Sequence, residues 1–224
     1  MTWSPRLEIV PSAGSTNSDL VAAAAADPGA WPPLSALLAR EQTAGRGRTD
    51  RRWDTSHMQA VTISVVLRPR GEPTGWGWLP LLTGLAVVWA IRAGAAGIAG
   101  GGGIAGGGGR AAERVTLKWP NDVVLLNGGT EEVEGWGTTR KLGGILAEVL
   151  PDGDGVVVGI GLNLQAADLP VPWAATLAGA GLVRRPDGVA PSGTPDGVGT
   201  GSRRLSRAVG RVPSTPISRG CEGP

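Results

Sequence analysis

Histidine and cysteine are almost missing from this sequence, which contains one residue of each, His57 and Cys221. A Ser/His/Asp or Cys/His centre needs a positioned histidine, and a zinc site needs several such ligands. The composition therefore argues against both kinds of site, and we interpret His57 as a loop residue. A single cysteine also excludes an internal disulfide, which fits a cytoplasmic protein.

Phenylalanine and tyrosine are absent, so all nine aromatic residues are tryptophan. With 41% hydrophobic residues among 224, the chain can bury a core, which must consist mainly of Ala, Val, Leu and Ile. We find no apolar run of the ~18 residues that a membrane span needs, and no secretory signal at the N-terminus. These absences predict a soluble cytoplasmic protein.

Short apolar segments with turn residues between them predict an α+β protein with a mixed or antiparallel sheet flanked by helices. Ser15 or Thr16 can cap the first helix. The predicted order is a strand and a helix in residues 8–29, strands at 34–41 and 60–69, a helix at 78–94, two strands in 114–126, a polar hairpin loop at 128–140 and two strands in 141–164.

Two segments are predicted to lack regular structure. Residues 93–112 contain only Ala, Gly, Ile and Arg, and we interpret them as a flexible insertion. Residues 184–224 are rich in Pro, Gly, Ser and Arg without helical or strand period, which predicts a disordered tail. The net charge of the chain is +2, of which residues 181–224 contribute +4 and residues 1–180 contribute −2. The basic balance therefore comes from the tail and does not by itself indicate nucleic-acid binding.

The segment EQTAGRGRTDRRW, residues 41–53, concentrates positive charge on a bendable stretch that ends at Trp53. Its glycines allow backbone N–H groups to approach an anion, and its arginines can grip phosphate or carboxylate with forked donors. A solvated basic loop that touches RNA is the alternative.

Two other residues are open to two interpretations each. Trp53 can pack in the core or cover a flat ligand, and Lys118 in LKWPND can be a surface residue or a site residue. The chain lacks the Lys-Ser/Thr of a P-loop and the third glycine of a dinucleotide fingerprint.

Five segments in order resemble the catalytic domain of the biotin protein ligases, of the actinobacterial type. They are GSTNSDL, EQTAGRGRTDRRW, LKWPNDVVL, KLGGILAEV and VVGIGLNL. The resemblance covers residues from about 7 to about 183, and the arginine-glycine segment together with KWPND carries most of it. It implies the fold shared by class II aminoacyl-tRNA synthetases and biotin/lipoate ligases, with residues 1–183 as the catalytic domain.

The resemblance implies a biotin–[biotin carboxyl-carrier protein] ligase. In this reaction the biotin carboxylate attacks the α-phosphate of ATP, pyrophosphate leaves, and biotinyl-5′-AMP stays bound. A lysine of a biotin carboxyl carrier domain of acetyl-CoA or acyl-CoA carboxylase then attacks the mixed anhydride. Neither step needs an enzyme nucleophile, and fixed cations lower the cost of joining two anions.

The resemblance also assigns residues. Lys118 is implied as the catalytic lysine that bridges carboxylate and α-phosphate, with Arg48 and Arg51 facing phosphates. The implied biotin-binding residues are Ser15, Thr16, Asn17, Gln42, Arg46, Gly47, Arg48, Lys118, Gly144 and Gly159. The implied ATP-binding residues are Arg48, Arg51, Trp53, Lys141, Asn163 and Trp173. Mg²⁺ is expected near Asn163 without a protein cage, and glycines 143, 144, 159 and 161 are expected to keep the pocket floor open.

The sequence departs from the family pattern at three points. Asp50 stands where many members have glycine, and we expect the turn to tolerate it. No helix-turn-helix is expected before residue 7, so repressor activity is not implied. The tail at 184–224 stands where the family continues with closing helices and an SH3-like domain. A biotin- or adenylate-binding protein with impaired transfer is therefore an alternative to the ligase, and a basic RNA-associated protein is a further one.

Overall fold

The described residues form a seven-stranded sheet and three α-helices, which confirms the predicted α+β class. The computed structural model describes residues 5–49, 51–55, 58–100 and 107–183. Its elements are β1 (Leu7–Ala13), α1 (Thr16–Ala26), β2 (Ala36–Gln42), β3 (Met58–Leu67), a 3₁₀ helix (Pro73–Trp78), α2 (Leu79–Gly100), α3 (Gly107–Glu113), β4 (Val115–Lys118), β5 (Asp122–Leu125), β6 (Arg140–Val149) and β7 (Val156–Ala166).

The sheet is mixed, with the strand order β1-β2-β3-β7-β6-β5-β4. β1 and β2 are parallel because α1 connects them, and every other neighbouring pair is antiparallel. The long strands β3, β7 and β6 occupy the centre of the sheet.

Successive side chains of β7 point to opposite faces of the sheet and pack in two separate hydrophobic cores. Val157 packs in a cluster with Leu20 and Ala24 of α1. Its neighbours Val156 and Val158 pack in the other cluster, with the residues of α2 and α3. The face under α1 is the one that carries the candidate site.

The first helix lies within the predicted range 8–29, but its N-cap has no side-chain hydrogen bond. Ser15 occupies the N-cap position in extended conformation without a side-chain cap hydrogen bond, and Asp27 is the C-cap. The hydroxyl of Thr16 is occupied elsewhere, in a bond to Gln42. A capping role for either side chain is therefore not supported, because the tertiary network uses the Thr16 hydroxyl.

The insertion predicted at 93–112 is partly helical in the structure. α2 continues to Gly100, and α3 begins at Gly107, while residues 101–106 lie outside the described part of the chain. Ala95, Ala111 and Ala112 are buried in the core beside α2. Tertiary packing of these small side chains outweighs the low helix propensity of the surrounding glycines.

The segment Pro73–Ala95 is long and apolar enough to cross a membrane by length and composition, with a mean hydropathy of 1.4. The prediction that no apolar run reaches the length of a membrane span is therefore wrong for this segment, judged by length and composition. Val87, Val88 and Ile91 of this segment are buried in the core, although most of the apolar stretch is not. The exposed apolar residues of the same segment are Trp78, Leu82, Leu85 and Trp89.

Several sequence-based interpretations fall outside the described residues. These are the tail at 184–224, the loop role of His57, the tolerance of Asp50 and the environment of Cys221.

Leu142→Ala tests the core beneath α2. Leu142 is fully buried in this core, so truncation should lower the free energy of unfolding by about 2–5 kcal/mol. Leu126→Ala removes the same atoms from a side chain that is 44% exposed and should cost much less. Denaturant unfolding measures both variants, and equal losses would show that the packing described here is wrong.

Candidate active site

A cleft of about 860 Å³ opens on the α1 face of the sheet. The structure brings every residue of the predicted site to its wall. They are Ser15, Thr16, Asn17, Gln42, Arg46, Gly47, Arg48, Arg51, Trp53, Lys118, Lys141, Gly144, Gly159, Asn163 and Trp173. These residues come from distant parts of the chain, and their common location follows from the strand order β3-β7-β6-β5-β4 beside α1.

The floor of the cleft depends on glycines of β6 and β7. A Cβ at Gly159 would overlap the side-chain oxygen of Asn17, and one at Gly161 would stand 2.7 Å from the Trp53 ring. Gly144 also lines the cleft, but a Cβ there would meet Lys141 Nζ at an ordinary 3.5 Å. Gly143 is not among the lining residues, and its missing side chain instead allows the backbone of Gly161 to approach.

A buried polar network fixes the start of α1. Asn17 is 3% exposed, and its Oδ1 accepts a hydrogen bond of 2.7 Å from Ser64 Oγ. Its Nδ2 donates to the Leu146 carbonyl at 3.1 Å. Gln42 Oε1 accepts from both the backbone N–H and the hydroxyl of Thr16, at 2.8 and 3.0 Å. These side chains are held by their partners before any ligand enters, which is the preorganisation that selective binding requires.

The arginine segment folds into a tight loop over the cleft. Gly47 N–H donates to the Arg51 carbonyl at 2.6 Å, and Trp53 N–H donates to the Gly45 carbonyl at 2.9 Å. Thr49 adopts a positive φ of 51° between them. A Cβ at Gly45 would overlap the Trp53 carbonyl, so this position requires glycine. The loop keeps Arg48 and Arg51 on the cleft wall.

Arg46 pairs with Glu148, a residue that the sequence reasoning did not identify. Arg46 Nη1 lies 2.9 Å from Glu148 Oε1 and 3.1 Å from Ser18 Oγ. Glu148 Oε2 also accepts a hydrogen bond of 2.8 Å from Asn17 Nδ2. Glu148 stands in KLGGILAEV, but its partners are about 100 or more residues earlier in the chain, so no local pattern could reveal them.

Trp136 was also missed, because the segment 128–140 reads as a polar hairpin loop. Lys118 Nζ lies 3.9 Å above the centroid of the Trp136 ring, a cation–π contact at the cleft wall. The loop is held by the buried Arg140, whose guanidinium donates to the carbonyls of Glu131, Gly137 and Thr139 at 2.5–3.0 Å. Trp136 is therefore a fixed wall of the site.

A register shift in β6 places Lys141 in the cleft. Leu142 has no partner on β5, so Lys141 lies on the same face as Gly144. Lys141 Nζ forms an ion pair of 2.7 Å with Asp122 Oδ1 and lies 6.0 Å from the centroid of the Trp53 ring. Asp122 is a further residue that the sequence reasoning missed, although it stands in the KWPND segment.

Asn163 and Trp173 join β6 and β7 to the segment after them. Asn163 is 4% exposed, and its Nδ2 donates to the carbonyls of Lys141 and Ala175 at 3.3 and 3.0 Å. The carbonyl of Trp173 accepts from Lys141 N–H at 2.7 Å, and the residue is 36% exposed at the cleft. The Nε1 of Trp53 is buried without a hydrogen-bond partner in the described structure, so the cleft wall carries an unused donor.

The described lining of the cleft is strongly cationic. Its charged residues are Arg46, Arg48, Arg51, Arg52, Lys118 and Lys141 against Asp54 and Asp122. Both lysines of the chain are in this set. An open cleft with this charge attracts anions, and its tryptophans offer flat surfaces for rings.

The mixed sheet flanked by helices is the fold of the biotin protein ligases, as comparison with known proteins shows. The profile of the Biotin/lipoate A/B protein ligase family matches residues 16–164. The chain belongs to this family.

Individual relatives of the chain are biotin ligases. The chain is 40% identical over 163 residues to the biotin–[acetyl-CoA-carboxylase] ligase of Mycobacterium tuberculosis, covering 72% of this chain and 50% of that protein. It superimposes on the Leishmania major biotin protein ligase in complex with biotinyl-5-AMP with a TM-score of 0.56 and 25% identity, covering 80% and 66% of the two chains. The Aquifex aeolicus biotin protein ligase in complex with biotin and ATP gives a TM-score of 0.51 and 27% identity, covering 77% and 59%.

Gly159→Ala tests the fit of α1 on the cleft floor. The new methyl would displace Asn17 and break its buried bonds, so we expect a loss of about 1–3 kcal/mol of unfolding free energy. Gly144→Ala adds the same group to the same floor at an ordinary contact distance and should be nearly neutral. Thermal and denaturant unfolding measure the change in unfolding free energy for both variants. A tolerant Gly159 would mean that Asn17 is not packed as described.

Proposed function

We propose that this chain joins biotin to ATP to form biotinyl-5′-AMP and then transfers biotin to a lysine of a biotin carboxyl carrier domain. The observation that carries the proposal is the convergence of all fifteen residues implied by the resemblance on one cationic cleft. The Leishmania major and Aquifex aeolicus relatives, in complex with biotinyl-5-AMP and with biotin and ATP, support the same ligands.

In the first step, an oxygen of the biotin carboxylate attacks the α-phosphorus and pyrophosphate leaves. Both reactants are anions, so their approach is opposed by repulsion that fixed cations reduce. Lys118 is assigned to the carboxylate and α-phosphate oxygens, and Arg48 and Arg51 to the phosphates. Lys118 is suited to this role because its described contact is the Trp136 ring, and the N–H donors that point away from the ring can reach a ligand.

The biotin ring is assigned to the end of the cleft beside α1. Ser15, Thr16, Asn17 and Gln42 supply polar groups there, and Gly159 allows Asn17 to lie directly on the sheet. The adenylate is assigned to the other end, where Lys141, Asn163 and the exposed face of Trp173 meet. Trp53 lies on the cleft wall against Gly161, with Lys141 Nζ 6.0 Å from the centroid of its ring.

Magnesium fits the site as a companion of the triphosphate. The described residues contain no group of three His, Cys, Asp or Glu side chains that could hold a metal ion. The oxygen donors on the cleft wall include the Asp122 carboxylate and the Asn163 amide oxygen, and Mg²⁺ is commonly held by one or two such groups and phosphate oxygens. When bound, it would offset phosphate charge.

In the second step, the amine of the carrier lysine attacks the carbonyl carbon of the mixed anhydride, and AMP leaves. The open cleft leaves space for this amine to enter. The carrier domain of a biotin-dependent carboxylase is the proposed partner, and the cytoplasm is the proposed location, since ATP and such carboxylases are found there. The chain spans 50% of the length of its Mycobacterium tuberculosis relative, so the complete reaction is part of the proposal.

Lys118→Ala should abolish activation of biotin. Biotin-dependent exchange of labelled pyrophosphate into ATP should fall by at least about 10²-fold, because a charge that stabilises the transition state is removed. Arg110→Ala, which removes an exposed cation from α3, should exchange like the parent protein. Near-parent exchange by the Lys118 variant, with its melting temperature unchanged, would refute the assigned role.

Transfer to a purified apo carrier domain should add one biotin to its acceptor lysine. Mass spectrometry of the carrier measures the product, and a carrier with arginine at the acceptor position is the control. Exchange without transfer would favour a protein that binds biotin and holds the adenylate. The absence of biotin-dependent exchange in the parent protein would contradict activation itself and leave the RNA-associated alternative.

A further inference from the structure

Glu148 connects two parts of the site that lie far from it and from each other in the sequence. It lies on β6 opposite Val157 of β7, and its side chain is 22% exposed. One carboxylate oxygen pairs with Arg46 of the arginine loop, and the other accepts a hydrogen bond from Asn17 of α1. A single carboxylate therefore joins the loop to the pocket under α1.

The Asn17 side of this connection is rigid. Beyond its bond to Glu148, Asn17 donates to the Leu146 carbonyl and accepts from the Ser64 hydroxyl. Nearly complete burial prevents water from replacing these partners. The position of the Glu148 carboxylate is therefore set by α1 and the sheet together.

The Arg46 side is exposed and depends on its partners. The Arg46 side chain is 52% exposed. The base of the loop is bonded to the chain before α1, because Thr43 and Ala44 N–H donate to the carbonyls of Ala13 and Gly14, whereas the backbone beyond Gly45 bonds to itself. Arg52 adds a bond within the same segment, to the Thr43 carbonyl. The pair with Glu148, together with the Ser18 contact, ties the centre of the loop to the body of the site.

The ion pair between Glu148 and Arg46 also reduces the repulsion among the arginines of the loop. Like charges in the loop repel each other and favour an open arrangement. Glu148 neutralises Arg46 and leaves Arg48 and Arg51 for an anion, so closure does not require the ligand to satisfy every guanidinium.

We propose that Glu148 is a positioning residue that couples the pocket under α1 to the arginine loop and holds that loop closed over a bound adenylate. The role in adenylate retention rests on the proposed function. The coupling of loop and pocket concerns the protein alone and can be measured without activity.

Glu148→Gln separates the ion pair from the hydrogen bond. The amide oxygen can still accept from Asn17, but its charge attraction for Arg46 is lost. We expect trypsin to cleave the loop of the full chain after Arg48, Arg51 and Arg52 about 3- to 10-fold faster, because cleavage follows the open population. Mass spectrometry assigns each cut, and Asp154→Asn, which removes the Arg68 ion pair elsewhere on the molecule, should leave loop cleavage unchanged.

A double-variant cycle tests whether the two residues act together. Arg46→Gln lies on the exposed side and should accelerate the same cuts without disturbing the core. Adding Glu148→Gln should then have little further effect. This cycle remains informative if Glu148→Gln alone lowers the melting temperature, since Arg46→Gln provides an independent route to the open loop.

Retention of the adenylate supplies the functional measurement. Glu148→Gln should release preformed biotinyl-AMP about 3- to 10-fold faster, with the affinity for biotin alone near that of the parent protein. Loop cleavage at the parent rate in both single variants, or additive effects in the double variant, would overturn the proposed coupling. Faster cleavage with unchanged adenylate release would refute the retention role, whereas a parent protein without exchange activity would refute the proposed function instead.

Discussion

The site depends on holding several positive charges together around one cleft before an anion arrives. Six cationic side chains face two carboxylates in the described lining, so the empty arrangement is opposed by mutual repulsion. The sheet and α1 resist this repulsion through covalent connections, buried hydrogen bonds and two ion pairs. Lys141 is paired with Asp122, and Arg46 with Glu148. Arg48, Arg51 and Lys118 are left to interact with a ligand.

Glycine and buried polar groups give the cleft its shape. Gly159 and Gly161 allow Asn17 and Trp53 to lie directly on β7, and bulkier residues there would push both away. The Thr16–Gln42 and Asn17–Ser64 bonds then join α1 to β2 and β3. Buried polar networks of this kind are favourable only when their members are satisfied, which makes the pocket under α1 a rigid part of the molecule.

The sequence predicted most of the elements because their signals are local. The alternation in β3, the Asp-Pro stop after α1 and the Asp-Gly turn between β6 and β7 all describe neighbouring residues. The continuation of α2 beyond residue 94 could not be predicted, because Ala95 is stabilised by distant core partners. The resemblance predicted which residues gather at the cleft. Trp136 and Glu148 were missed because their contacts depend on loop geometry and on strand register.

The central claim is that pre-placed guanidinium and ammonium groups bring a small carboxylic acid and a nucleotide together. A crystal structure of the protein with biotinyl-AMP tests it most directly. The account predicts the bicyclic ring beside Asn17, the phosphate within hydrogen-bond distance of Arg48 and Lys118, and adenine against Trp173. A well-ordered ligand bound away from Arg48 and Lys118 would contradict it.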